Sequence, residues 1–161
     1  MELWDVLDEN GHKTGKVVER GNPMNKGEYH LVVFILIKNT DGRFLISKRS
    51  ENKPGANLWE TPGGAAIAGE TSIQAALREV KEELGISLQE EKGIFLKRLI
   101  FETTNSWLAD IWVFNDDINI SDIVLQVEEV SDVKLATKDE IFDLIQEGHF
   151  FSDLLADIIK V

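Results

Sequence analysis

The sequence predicts an α/β protein of the α+β type, a mixed β-sheet flanked by helices, with an N-terminal β-hairpin. Residues 31–37 are continuously apolar, too short for a helix and closed by a turn, as a buried strand should be. Ile73, Ala76, Leu77, Val80 and Leu84 recur at helical spacing, and residues 107–114 alternate as a half-buried strand does. At 161 residues and 43% hydrophobic, the chain can fill one core, so 1–161 is expected to be a single domain.

The hairpin occupies about 2–18, turning at Asn10-Gly11, a dipeptide that tolerates positive φ. After the buried strand, Asn39-Thr40-Asp41-Gly42 returns the chain into 43–47, its expected partner. Pro54-Gly55 and Pro62-Gly63-Gly64 make loops around a short extended piece at 58–61. Thr71 and Gln74 have capping-box spacing and Gly85 suits a C-terminal stop, which bounds a helix at 72–84. Strands at 94–102 and 107–114 should pair antiparallel. An acidic loop leads to a short strand at 133–136. Thr137 and Glu140 then open a helix with Ile141, Leu144 and Ile145, and a last helix covers roughly 153–159. No repeat, linker or low-complexity tract interrupts this order.

Aspartate and glutamate number 29 against 17 lysines and arginines, a net charge of -12 and a pI near 4.6. Such a surface repels polyanions, and no basic cluster exceeds Lys48-Arg49 or Lys97-Arg98, which argues against a nucleic-acid polymer as partner. An acidic protein that handles phosphates needs positive charge from elsewhere, and a carboxylate-bound metal is the ordinary source. The chain has no cysteine, which removes disulfides, thiolate zinc sites and cysteine nucleophiles and is compatible with the cytoplasm. Neither an export signal nor a run long enough to span a membrane is visible, so no membrane association is expected.

The chemistry concentrates between residues 64 and 86. Gly64 is followed by five residues and Glu70, then by seven residues and Arg78-Glu79-Val80-Lys81-Glu82-Glu83-Leu84-Gly85-Ile86. On a helix, Glu79, Glu82 and Glu83 share one arc of about 100°, beside the buried stripe and next to the small Ala75. Mg²⁺ or Mn²⁺ prefers such oxygen donors, completed by waters and phosphate oxygens. Taken alone, three glutamates are more often a solvated face and Gly63-Gly64 a turn, while Glu70 and Arg78 are as readily a mere exposed ion pair. No cation stands three or four positions from Glu79, whereas Glu82 and Glu83 do, so its charge is expected to be unopposed.

This pattern resembles the Nudix box without a mismatch, at chance odds on the order of 10⁻⁹ per start position. The resemblance implies a Nudix fold and a pyrophosphohydrolase that cleaves a diphosphate linkage in a small molecule. The implied substrate is a nucleoside di- or triphosphate or a nucleoside-diphosphate-linked compound. It also implies a Mg²⁺ or Mn²⁺ cofactor on Glu79, Glu82, Glu83 and the Gly64 carbonyl, with Glu70 and Arg78 fastening the loop to the helix. The general base is Glu79 or a later acidic residue such as Glu128 or Glu129. A Nudix-fold nucleotide-binding or sensing module without turnover is the alternative. The N-terminal hairpin, His30, Lys48-Arg49-Ser50 and Pro54-Gly55 before Trp59 resemble the isopentenyl-diphosphate-isomerase-like branch over residues 2–140. Isomerase activity itself is rejected, because that chemistry needs a cysteine and Thr61-Pro62-Gly63-Gly64 replaces the histidine-bearing stretch. Arg49, Lys48 and Trp59 are candidate substrate-binding residues. Trp107 and Trp112 either stack a base or fill the core. His30 is expected to be a hydrogen-bonded structural histidine, and a homodimer is the protein partner left open.

Overall fold

The structure is a computed structural model that describes residues 1–151 together with 156 and 158. Its strands are β1 (Leu3–Leu7), β2 (Lys13–Glu19), β3 (His30–Lys38), β4 (Phe44–Arg49), β5 (Trp59–Glu60), β6 (Gly63–Ala65), β7 (Gly93–Phe101), β8 (Trp107–Asn115) and β9 (Val130–Ala136). Helix α1 (Ser72–Leu84) follows β6, and α2 (Lys138–Gln146) follows β9. The expected mixed sheet with helices and an N-terminal hairpin is therefore present.

Strands β1 and β2 form an antiparallel hairpin of their own, and Gly11 turns it at φ +79°. In the main sheet β3 is central. It pairs with β8 in parallel from His30↔Trp107 to Lys38↔Asn115, and β7 lies antiparallel on the far side of β8. Val33, Ile35 and Ile37 pack toward α1 with Ala75, Ala76, Val80 and Leu84, while Leu36 packs the other way with Phe44, Ile46, Ile111 and Ile141 of α2. Helices cover both faces of β3, which is why its apolar run is continuous and not alternating.

Two strand relations differ from expectation. The strands expected at 31–37 and 43–47 lie within β3 and β4, which pair only at Lys38↔Phe44, and β4 instead pairs along its length with β9. The loop expected at residues 62–64 contains β6, which pairs antiparallel with β3 through Gly64↔Val33. A glycine pair carries no side-chain alternation, so nothing in the local pattern marks it as a strand. Gly63 is needed there, because a Cβ would run into the Val33 carbonyl oxygen. The helix expected at 153–159 lies outside the described residues.

Arg98 on β7 fastens the hairpin to this sheet. Its Nε and Nη2 donate to the two oxygens of the fully buried Asp110 at 2.6 and 2.8 Å. Its Nη1 donates to the Asn10 carbonyl at 3.2 Å.

Candidate active site

Helix α1 holds the glutamates because both of its ends are fixed. Thr71 Oγ1 accepts from the Gln74 amide, Gln74 Oε1 accepts from the Thr71 amide, and Gly85 closes the last turn at φ +70°. With the apolar stripe buried, Glu79 and Glu83 fall at the edge of the core and Glu82 falls outside it, half-exposed.

Arg78 binds the preceding loop to the helix. Its Nε and Nη2 donate to Glu70 at 2.7 and 3.0 Å, and Nη2 also donates to the Ala65 carbonyl at 3.0 Å. Glu70 in turn accepts from the Ile67 amide. The loop is thereby pressed onto the helix so closely that a Cβ at Gly64 would lie 2.5 Å from Glu79 Oε1. Arg78 Nη1 donates to Glu79 at 3.1 Å and to Glu82 at 3.2 Å. The expectation that Glu79 stands without a cation is therefore corrected: helical spacing points neighbouring side chains apart, but a long guanidinium folds back across the surface and reaches it.

Glu79 and Glu83 lie together: burial raises the carboxyl pKa of both, and the charge of Glu79 raises Glu83 further, to about 10. Two buried acids that resist ionisation, set against a glycine backbone, fit a hard divalent cation, whose charge removes the penalty. Among the described residues no group of three or more Asp, Glu or His side chains is arranged to hold a metal ion. A measurable consequence concerns stability. Because the folded pKa is raised, the folded state holds more protons than the unfolded one above pH 4.5, so stability falls as pH rises from there through neutrality. In EDTA the melting temperature should decline from pH 5 to pH 8.5 on this account, and Glu83→Gln should flatten the decline. An identical slope in both proteins would contradict it.

Around the glutamates lies an acidic chamber of about 560 Å³, to which Trp4, Arg20, Arg49, Lys53, Glu60 and Glu129 also contribute. It shares His30, Val32, Arg49, Glu60, Gly63 and Gly64 with a second chamber of about 420 Å³, walled by Phe34, Trp107, Phe150 and Phe151. Arg49 stands between the two. Its Nη1 donates to Glu60 at 2.6 Å, Nε donates to the Pro54 carbonyl at 2.7 Å, and the guanidinium lies 3.8 Å from the Phe151 ring centre.

Of the residues expected from the sequence, the structure brings together Gly64, Glu70, Arg78, Glu79, Glu82, Glu83 and Arg49. Lys48 and Trp59 line neither chamber; they lie on the opposite face of β4 and β5, the ammonium 5.7 Å from the indole centre. Trp112 packs in the α1 core and donates to Ser72, whereas Trp107 is a chamber wall. Glu129 faces the acidic chamber and Glu128 does not. His30 is buried against the Asn105 backbone, and its Nδ1 has no hydrogen-bond partner. Sequence reasoning missed Trp4, Arg20, Lys53 and Glu60. Each arrives from an element distant from the helix, and only the pairing of β4 with β5 would have placed Glu60 beside Arg49.

The NUDIX domain pattern matches residues 28–155. The chain belongs to the Nudix family. It is 42% identical over 152 residues to an uncharacterized Nudix hydrolase of Listeria innocua, covering 93% of this chain and 88% of that one. It is 28% identical over 131 residues to the phosphatase NudJ of Escherichia coli, covering 81% of each. A crystal structure of a Deinococcus radiodurans protein superposes with a TM-score of 0.75 over 99% of this chain and 98% of that one, at 23% identity. The Nudix relatives support a pyrophosphohydrolase enzyme, in a family that acts on nucleoside diphosphate derivatives and typically uses divalent metal. No helix among the described residues is long and apolar enough to cross a membrane.

Proposed function

We propose that this Nudix enzyme uses Mg²⁺ or Mn²⁺ to cleave a diphosphate linkage in a nucleoside di- or triphosphate or a related nucleoside-diphosphate-linked compound. The observation that carries the reading is that Glu79, Glu82 and Glu83 of α1 line one acidic chamber with Gly64, Glu79 lying against the Gly64 backbone, beside an apolar chamber. Glu79, Glu82, Glu83 and the Gly64 carbonyl would hold the metal. When bound, it supplies positive charge to the substrate's phosphates and makes an attacking water more acidic.

The chain's own residues do the remainder. Arg78 and Glu70 do not touch substrate; they position the loop and the helix against each other. Arg49 and Lys53 each pair with a carboxylate that lines the same chamber, Glu60 at 2.6 Å and Glu129 at 2.5 Å. A phosphate entering there exchanges for those carboxylates as partner of the two cations, which orients the diphosphate over α1. Glu129, freed from Lys53, would take a proton from water in this reading, and Glu79 is the alternative base. Family resemblance around Arg49 and the hairpin favours the hydrolase members of the isopentenyl-diphosphate-isomerase-like branch, working in the cytoplasm on small molecules.

A panel of nucleoside di- and triphosphates and diphosphate-linked nucleosides, assayed for released phosphate or monophosphate, tests this. Turnover should need Mg²⁺ or Mn²⁺ and vanish in excess EDTA. It should also rise with pH, since the raised Glu79–Glu83 pair must lose its proton to bind metal. Undiminished turnover in EDTA overturns the proposal, and thermal stabilisation by one nucleotide without turnover on any favours a sensing module.

A further inference from the structure

Arg49 lines both chambers, and three segments distant in the sequence hold its guanidinium. The turn after β4 supplies the Pro54 carbonyl to Nε, and β5 supplies Glu60 to Nη1. The segment after α2 supplies the ring of Phe151 against the guanidinium face. Only 11% of the Arg49 side chain is exposed, so these three contacts define where its charge stands.

Phe151 owes its place to the backbone and not to core packing. The Trp59 amide donates to the His149 carbonyl at 2.9 Å and the Phe151 amide donates to the Trp59 carbonyl at 2.8 Å. Residues 149–151 therefore run parallel beside β5, with Phe150 opposite Trp59. The Phe151 ring also lies so close to Gly55 that a Cβ there would run into it, and Gly55 holds the left-handed conformation at φ +70°. Yet 44% of Phe151 remains exposed. An aromatic side chain left half in solvent contributes little to a core. The group it does cover is a cation, for which an aromatic face is a favourable partner.

We propose that Phe151 is a positioning residue for the reaction: its ring fixes the plane of the Arg49 guanidinium, so that the cation stays aimed into the cleft when Glu60 gives way to phosphate. The inference rests on the hydrolase reading in taking phosphate to replace Glu60 as the partner of Arg49. Of the three contacts, that exchange removes one. The bond from Nε to Pro54 then remains, and the guanidinium can turn about a single bond. A ring against its face removes that freedom before the substrate arrives. Immobilising a long side chain on binding weakens affinity severalfold, and Phe151 has already restricted this one in the free protein. An aliphatic side chain of similar bulk offers area but no negative face, so it cannot replace the ring. The segment after α2 thus takes part in phosphate binding, although it belongs to neither the glutamate helix nor the loop before it.

Calorimetry in Mg²⁺ with methylenebisphosphonate tests this, because the probe resists hydrolysis and has no organic group to touch the apolar wall. Phe151→Ala and Phe151→Leu should each bind it roughly three- to tenfold more weakly than wild type, and Phe151→Tyr should stay within about twofold. Arg49→Met should weaken it at least about tenfold. In the Arg49→Met background, Phe151→Ala should add less than about twofold, since the ring acts only through the guanidinium. Wild-type affinity in Phe151→Ala overturns the proposal. So does recovery in Phe151→Leu, which makes the side chain an apolar wall only, or an undiminished Phe151→Ala effect in the absence of Arg49. Should Phe151→Ala fail to fold, Phe151→Leu against Phe151→Tyr decides, with and without Arg49. Unchanged affinity in Arg49→Met removes phosphate from Arg49, and the proposal with it. A loss in Arg49→Met with none in the Phe151 variants removes the proposal alone and leaves the hydrolase reading intact.

Discussion

Glu83→Gln should lower the rate of diphosphate hydrolysis by at least about 10² at saturating metal and substrate. The substitution removes one negative charge and changes almost no volume. It removes it from a residue 4% exposed, interacting with Glu79 and lining the chamber where phosphate charge must be neutralised. The same change should leave the metal-free protein at neutral pH no less stable than wild type, because the carboxyl it replaces is one that burial already disfavours in its charged form. Rate and stability therefore move in opposite directions, which separates a lost ligand from a damaged fold. A rate within threefold of wild type would mean that Glu83 holds no metal. A rate loss accompanied by a drop in melting temperature in EDTA would mean that its role is structural.

How much of this was legible in advance depended on how local each signal is. The α1 boundaries, its capping box and the Gly85 stop arise from residues within a turn of each other, and expectation and structure agree there. The strand partners do not arise that way. β3 reads as buried, yet nothing within it says that β8 lies beside it in parallel or that β4 turns away to β9. Strand pairing is set by which faces can be covered together, and only the whole chain decides that.

The site divides along the same line. Every residue of the glutamate motif is carried by one loop and one helix, so its spacing alone brings them into one place. Lys48 and Arg49 show where such reasoning stops. Adjacent strand residues point to opposite faces, and without the sheet there is no telling which of the two enters the cleft. The register Lys48↔Trp59 takes both of those away from it together and leaves Arg49 and Glu60 inside. Trp4 comes from the hairpin, which belongs to a different sheet and is invisible to any argument based on the motif.

Arg98→Ala should destabilise the protein by about 3–5 kcal/mol, since it strips a fully buried carboxylate of its counter-charge. For a chain of this size that is a fall in melting temperature of roughly 6–20 °C. Asp110 lies on β8 in the middle of the sheet and accepts two bonds from Arg98, so no small relaxation returns it to water. A further measurement separates this cause from simple loss of packing. The double substitution Arg98→Met with Asp110→Leu should recover much of the loss, because an apolar pair of similar volume has no charge to bury. The Arg98 bond to the Asn10 carbonyl also anchors the hairpin that carries Trp4 to the cleft. Arg98→Ala should therefore weaken substrate binding as well, although Arg98 itself lines neither chamber. Melting within about 3 °C of wild type at neutral pH would show that Asp110 finds another partner, and the staple would lose its role.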